Sequence, residues 1–203
     1  KTAYVCNECG ADFAKWQGQC GECGQWNTLQ EFVVSSAKKA SRDARFDGYA
    51  GTTAPKVVAL NEVNLEALPR FSSGMAEFDR VLGGGLVPGS VTLIGGHPGA
   101  GKSTLLLQTM CYLAQHMETL YVTGEESLQQ VAMRARRLGL PEDQLKVMTE
   151  TCIESIVATA RQEQPRVMVV DSIQTIFTEQ LQSAPGGVAQ VRESAALLVR
   201  YAK

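Results

Sequence analysis

A glycine-rich segment limits the fold of this chain more than any other feature. It follows the apolar run 91–96, precedes a helical pattern at 102–116, and reads Gly96-His97-Pro98-Gly99-Ala100-Gly101-Lys102-Ser103-Thr104. Glycines let a backbone wrap closely around phosphate groups, and the N–H groups at a helix N-terminus attract anions. A buried strand, this loop and a helix are the context that a P-loop requires. The segment therefore predicts a binding site for a nucleoside triphosphate.

Individual roles follow from the chemistry of the loop. Lys102 is expected to reach the β- and γ-phosphates as a point charge, and Ser103 to offer its hydroxyl to Mg²⁺. Thr104 is expected to cap the loop beside the α-phosphate. His97 and Pro98 occupy variable positions of the motif. A role of His97 in proton transfer stays open beside the simpler interpretation, a side chain on the outer face of the loop.

Acidic residues complete the predicted site. A short apolar run ends in Asp171, and such a strand beside a P-loop holds Mg²⁺ with its terminal carboxylate. Glu125 and Glu126 follow the apolar run 119–124, and hydrolysis needs a base for the attacking water. Glu125, nearer to the strand end, is the predicted base, so Lys102, Glu125 and Asp171 form the catalytic set. The alternatives are a turn-forming Asp and two acids that suit a helix N-terminus.

Strand-like and helix-like segments alternate through the second part of the chain. Strands are predicted at 91–96, 119–124 and 167–171. Helices are predicted at 102–116, at 127–138 behind a capping box, at 153–163 and at 188–202. This alternation predicts an α/β fold with a parallel sheet, right-handed crossovers and flanking helices.

The cysteines are unevenly distributed. Two lie singly in apolar surroundings at positions 111 and 152, and the other four form two Cys-x-x-Cys pairs, each followed by glycine: Cys6, Cys9, Cys20 and Cys23. Four thiolates at this spacing form a closed tetrahedral Zn²⁺ site with no open position for catalysis. Iron in the same ligand set and a redox disulfide pair are the alternatives. Lys15, Trp16 and Trp26 either stack on a base or a partner, or simply cover the metal.

Composition and charge separate three regions. Residues 1–31 are the predicted zinc finger, 32–56 a flexible linker with five basic and two acidic side chains, and 57–203 the globular domain. The net charge is −2, so no global basic field favours nucleic acid. No apolar run is long enough to cross a bilayer, and the N-terminus has no signal-peptide core. A cytoplasmic protein without a membrane partner is expected.

The motifs together resemble a known family. A four-cysteine finger and a linker precede a characteristic stretch at 71–90 and the P-loop, and the segments 121–127 and 170–174 match as well. Over its whole length the chain is similar to the bacterial RadA (Sms) family of RecA-type ATPases. This resemblance implies a RecA-type sheet preceded by a small four-cysteine zinc finger. It also implies a DNA-dependent ATPase and helicase motor of DNA repair that promotes branch migration of recombination intermediates.

The same resemblance implies partners and site residues. The expected assembly is a homo-hexameric ring on single-stranded or branched DNA, with a RecA-type recombinase as a further partner. Carried over by position, Lys102 and Ser103 serve nucleotide and Mg²⁺, Asp171 is the Walker B acid, Glu125 is the catalytic glutamate, and Gln174 couples the γ-phosphate to DNA-binding loops. The family continues with further strands, a Lys-Asn-Arg-Phe-Gly motif and a Lon-protease-like domain. The 203 residues contain none of these, so a fragment that binds nucleotide more reliably than it hydrolyses it is expected.

Two other functions stay open at this point. A nucleotide-gated signalling ATPase of the KaiC type shares the strand followed by Glu-Glu, and such a protein phosphorylates itself on Ser or Thr. In the second alternative the P-loop is a pure switch, and the finger is an effector that binds a protein partner.

Overall fold

The N-terminal region is a small antiparallel sheet. The computed structural model describes residues 2–33, 59–62 and 69–203, so the predicted linker at 32–56 lies outside the described residues from position 34 onward. Strand β1 (Thr2–Cys6) is central and pairs with β2 (Asp12–Phe13) and β3 (Leu29–Val33), in the order β2-β1-β3. The three strands form the scaffold on which the four paired cysteines lie.

The second region is the predicted parallel sheet with flanking helices. Its strands are β4 (Thr119–Thr123), β5 (Lys146–Thr149) and β6 (Val167–Asp171), which pair in parallel in the order β5-β4-β6. Its helices are α1 (Ala76–Val81), α2 (Lys102–Ala114), α3 (Leu128–Arg137), α4 (Ile153–Glu163) and α5 (Val188–Ala202). The predicted α/β class is confirmed. None of the helices found among the described residues combines the length and apolarity needed to cross a membrane.

Side-chain alternation along β4 distributes the core over both faces of the sheet. Tyr121 points into a cluster formed with α2 and α3, whereas Leu120 and Val122 point into a second cluster formed with α4 and α5. Successive side chains of a strand face opposite sides, so one central strand supplies both clusters. All five residues of β4 are buried, as expected for the central strand of the sheet.

The predicted strand at 91–96 is not a strand in the structure. This segment has no regular secondary structure, and Leu93 is 83% exposed. A buried strand needs hydrogen-bonded neighbours and side chains that cover both faces, and no strand within the described ranges pairs with 91–96. The helix after the loop nevertheless begins at Lys102, where the sequence predicts it.

The stretch at 71–90 closes on itself through backbone and side-chain hydrogen bonds. Phe71 and Leu86 exchange two N–H···O bonds of 2.8 Å each. Between them, the carboxylate of Asp79 accepts from the Ser72 hydroxyl at 2.6 Å and from the Ser73 backbone N–H at 2.8 Å. These bonds, the Ser72 hydroxyl foremost, lower the pKa of Asp79. The stretch is therefore a folded unit that leads into the P-loop segment.

We expect the replacement Gly74→Ala to destabilise this unit strongly. Gly74 has φ +80°, and an added Cβ would lie 2.5 Å from Cγ of the Tyr112 ring. Positive φ costs about 1–2 kcal/mol for a residue with a side chain, and overpacking costs about 1–3 kcal/mol more. Urea denaturation should therefore show a loss of about 2–5 kcal/mol in the free energy of unfolding.

A matched control separates the two costs. Gly139 also has positive φ, +64°, but an added Cβ there has no atom within 4 Å. Gly139→Ala should cost only the backbone part, about 1–2 kcal/mol. Equal losses in the two variants would show that the contact with Tyr112 does not constrain position 74.

Candidate active site and metal centre

The P-loop is an exposed turn in front of α2. Gly99 and Gly101 have φ of +79° and +86°, and Gly101 is the N-cap of α2. An added Cβ at either position would meet no atom within 4 Å, so the glycines are required by backbone conformation rather than by space. The loop therefore presents its backbone and the first turn of α2 to solvent, as an anion site at a helix N-terminus requires.

The Lys102 side chain folds back over the loop. Its ammonium donates to the backbone oxygen of Gly96 at 2.7 Å and to that of His97 at 3.0 Å. These two carbonyls hold the charge at the loop, where an arriving phosphate oxygen can replace them as acceptor. His97, Pro98 and Ala100 are all exposed, and the His97 carbonyl also accepts from the Ala100 N–H at 3.2 Å.

The strand register brings the acidic residues to one edge of the sheet. Thr123, the last residue of β4, lies opposite Asp171, the last residue of β6. Directly beyond this pair, the Gly124 N–H donates to the Asp171 carbonyl at 3.0 Å. A Cβ on Gly124 would overlap the Thr175 hydroxyl, so glycine is what lets the chain after β4 approach the chain after β6. Helix α2 packs on both of these strands.

The two glutamates after β4 have different partners. Glu125 Oε1 accepts from the hydroxyl of Ser172, the residue directly after Asp171, at 2.6 Å. Glu126 instead forms an ion pair with Arg134 of α3, and both of these side chains are largely buried. The two acids therefore point to different places: Glu125 to the edge shared with Asp171, and Glu126 to a helix.

The carboxylate of Asp171 is held on one side only. Its Oδ2 accepts from the Tyr121 hydroxyl at 2.7 Å, and its Oδ1 has no hydrogen-bond partner in the part of the chain that the structure describes. A free carboxylate oxygen and the Ser103 hydroxyl are the oxygen ligands that Mg²⁺ prefers. The residues present therefore fit a magnesium ion that is bound together with nucleotide phosphates.

The cysteine cluster has the geometry of a tetrahedral metal site. Its four sulfur atoms lie within 4.8 Å of one another, with Sγ···Sγ distances of 3.7 Å for Cys6–Cys23 and 3.5 Å for Cys9–Cys20. Tetrahedral zinc with Zn–S bonds of about 2.3 Å needs sulfur atoms about 3.8 Å apart. The four-cysteine cluster predicted from the spacing is therefore confirmed, and its geometry fits zinc.

Two equivalent turns build this metal centre. Gly10 N–H donates to the Cys6 carbonyl, and Gly24 N–H donates to the Cys20 carbonyl, at 2.9 Å in both cases. Both glycines have positive φ, 74° and 71°, which confirms why glycine follows each second cysteine. Trp26 is 68% exposed and Trp16 is 58% exposed, so neither serves as the apolar cover of the metal.

The thiols of Cys6 and Cys9 have opposed acidities because their surroundings differ. Burial opposes ionisation of Cys6, but hydrogen bonds with Thr28 and with the backbone lower the pKa of Cys6 to about 6. For Cys9 a backbone hydrogen bond favours the thiolate, yet desolvation and the neighbouring Cys20 outweigh it and raise the pKa to about 12. Four thiolates at this spacing repel one another, and a divalent cation removes that repulsion.

Family comparisons agree with this architecture. A model described as rubredoxin metal binding domain matches residues 4–31, and a KaiC ATPase model matches residues 71–148. Fold and site together define a protein with an N-terminal four-cysteine zinc ribbon and a P-loop ATPase domain of the RecA/KaiC type.

Curated relatives match along all 203 residues. The chain is 70% identical to the DNA repair protein RadA of Pseudomonas aeruginosa and 63% identical to that of Haemophilus influenzae, covering 100% of this chain and 44% of each relative. The RadA of Escherichia coli is 62% identical over the same shares. The resemblance to the RadA family is confirmed over the whole chain, which spans less than half the length of these relatives.

Proposed function

We propose that this chain is the nucleotide-hydrolysing part of a DNA-dependent ATPase that acts in DNA repair. The observation that carries the proposal is the hydrogen bond of 2.6 Å that the Ser172 hydroxyl donates to Glu125. This bond holds the Glu125 carboxylate next to Asp171, the residue that precedes Ser172. An acid for the metal and an acid for water thus lie together beside the P-loop helix. The relatives named DNA repair protein RadA and the KaiC-type ATPase domain support the same conclusion.

The proposed reaction is in-line attack of water on the γ-phosphorus of ATP. The backbone N–H groups of 99–104 and the Lys102 ammonium bind the phosphate oxygens, and Ser103 and Asp171 hold the magnesium ion. When bound, Mg²⁺ neutralises charge that develops on the β- and γ-phosphate oxygens. Glu125 accepts the proton of the attacking water, and the bond from the γ-phosphorus to the bridging oxygen breaks as ADP leaves.

Glu125 is preferred over Glu126 because of their different partners. The Arg134 ion pair occupies Glu126 and would have to break before this carboxylate could serve a water molecule. Among the described residues the Glu125 carboxylate is held by one neutral hydroxyl, from which it can turn to a water molecule at small cost. Proton transfer also needs an unprotonated acceptor within about 2.6–3.2 Å of the water.

The finer assignments extend this proposal. We place the ATPase in a homo-hexameric ring that moves single-stranded or branched DNA and promotes branch migration, with a RecA-type recombinase as a further partner. Gln174, exposed in the loop after β6, would couple nucleotide state to DNA contacts. The exposed Trp16 and Trp26 of the zinc ribbon favour contact with a base or a partner over a purely structural role.

Single-stranded DNA is expected to raise the rate of ATP hydrolysis by the protein at its full natural length. Binding to phosphates releases counterions, so the stimulation should weaken as salt rises. Steady-state phosphate release, measured with and without DNA at several salt concentrations, tests this. Lys102→Ala should abolish turnover under all conditions. The proposal fails if DNA has no effect at any salt concentration while turnover remains dependent on Lys102.

A second candidate is a KaiC-like nucleotide-gated signalling ATPase. The observation that favours it is the match of the KaiC model to residues 71–148. Such a protein would transfer the γ-phosphate of ATP to its own Ser or Thr hydroxyl. Incubation with γ-labelled ATP followed by gel analysis distinguishes the two functions: label on the protein favours the autokinase, and label only in free phosphate favours the DNA-dependent ATPase.

A further inference from the structure

Tyr121 is a buried residue whose hydroxyl, among the described residues, bonds to Asp171, the acid proposed to hold magnesium. It lies at the centre of β4 with 0% of its surface exposed, and its hydroxyl donates to Asp171 Oδ2 at 2.7 Å. In the strand register Tyr121 pairs with Val169, so its side chain reaches diagonally over two residues to the end of β6. This contact joins the middle of one strand to the functional tip of its neighbour.

The surroundings of Tyr121 fix the phenol ring in place. It packs in the core cluster with Leu107, Met110 and Cys111 of α2, the helix that begins at the P-loop. Thr123, on the same face of β4, is occupied elsewhere: its hydroxyl accepts from the Glu126 N–H at 2.9 Å. Tyr121 is therefore the side chain of this strand face that is left to hold Asp171.

The hydrogen bond from the Tyr121 hydroxyl occupies one of the two carboxylate oxygens of Asp171. Since Oδ2 carries this bond, Oδ1 is the oxygen left for the metal or its water shell.

We propose that Tyr121 is a positioning residue that orients the Asp171 carboxylate for magnesium binding. Its hydroxyl holds Oδ2 and thereby fixes the rotation of the carboxylate group, while its ring anchors this hydroxyl to the helix that carries the P-loop. The inference rests on the proposed function, in which Asp171 holds the ion. Loss of such an outer partner typically lowers metal affinity about 10–100-fold.

The test compares ADP affinity with and without magnesium in wild type and Tyr121→Phe. Isothermal titration gives the dissociation constant of ADP in excess Mg²⁺ and in excess EDTA, and the ratio of the two is the gain from magnesium. Tyr121→Phe removes the hydroxyl and keeps the ring. We expect this ratio to be about tenfold smaller in Tyr121→Phe than in wild type. The ADP affinity in EDTA should be close to that of wild type.

Thr109→Val is the matched control. Thr109 is a buried residue of α2 whose hydroxyl has no hydrogen-bond partner among the described residues, so Val removes a buried hydroxyl from the P-loop helix and leaves the hydrogen bond to Asp171 in place. This variant should keep the full gain from magnesium. Thermal unfolding followed by circular dichroism checks that both variants fold. An unchanged gain in Tyr121→Phe, or equal weakening with and without Mg²⁺, would overturn the inference in favour of simple packing.

A measurement on the unaltered chain covers the case in which Tyr121→Phe does not fold. Labelling of the tyrosines with ¹³C makes the ring of Tyr121 observable by NMR in the unaltered chain. Its Cζ resonance should shift when Mg²⁺ is added to the ADP complex, and no shift would overturn the inference. A wild-type protein whose ADP affinity does not respond to Mg²⁺ would contradict the proposed function itself, and this inference with it.

Discussion

Glu125→Gln is expected to lower the kcat of ATP hydrolysis by about 10²–10⁴-fold, because removal of a positioned general base costs this much. Gln keeps the size of the side chain and can still accept from the Ser172 hydroxyl, so the local structure should persist. The binding of Mg·ATP should be nearly unchanged, since the base acts on water and not on the phosphates. Single-turnover hydrolysis and equilibrium binding of a fluorescent nucleotide measure the two quantities separately.

Glu126→Gln is the control for this result. It removes a charge at the adjacent position, but that charge is paired with Arg134. We expect a loss of folding stability and a much smaller loss of kcat than in Glu125→Gln. The opposite ranking, with hydrolysis abolished in Glu126→Gln and retained in Glu125→Gln, would show that Glu126 and not Glu125 is the base.

Removal of the metal is expected to unfold the N-terminal ribbon. Among the side chains that the structure describes there, the buried cluster consists of Cys6, Cys20 and Leu29, with Tyr4, Ala11 and Phe13 packed against it, which is a small apolar core. Zinc binding by four-ligand sites contributes about 10–16 kcal/mol near neutral pH, and in so small a unit this is the folding free energy. The double replacement of Cys6 and Cys9 by Ser should therefore lose one equivalent of zinc and the dispersed NMR signals of 2–33.

The two remaining cysteines supply the control. Cys111 and Cys152 are buried in the ATPase domain, far along the chain from the cluster, so Ala at both positions should leave the zinc content unchanged. Elemental analysis also decides between zinc and iron. A folded ribbon in the metal-free Cys6/Cys9 variant, or one equivalent of iron in the wild-type protein, would contradict this account of the site.

Helices with clear 3.6-residue periodicity and recognisable end signals can be predicted from the sequence. Helices α4 and α5 have the predicted bounds, and α3 begins at the predicted capping box, in which Ser127 and Gln130 bond each other's backbone N–H groups. The sequence does not predict strand β5, because Lys146–Thr149 is short and only partly buried. Its strand conformation comes from pairing with β4, which local pattern cannot reveal.

The site shows the same division. Asp171 and Glu125 can be predicted from sequence because one ends an apolar strand and the other follows one, which is a local signal. The sequence does not predict the roles of their partners Ser172 and Tyr121, since both contacts join residues about fifty positions apart and depend on the register of β4 against β6. One sequence feature points to Tyr121. Alternation along β4 puts Tyr121 and Thr123 on the same face, just before the strand end that Glu125 and Glu126 follow.

A structure with ADP, Mg²⁺ and aluminium fluoride tests the central claim most directly, because this complex mimics the γ-phosphoryl group during transfer. We predict that the Glu125 carboxylate turns from Ser172 to the water opposite the leaving oxygen and lies about 2.6–3.2 Å from it. Glu126 should stay on Arg134. A structure in which Glu126 contacts that water while Glu125 remains on Ser172, or in which neither glutamate reaches it, would contradict the account.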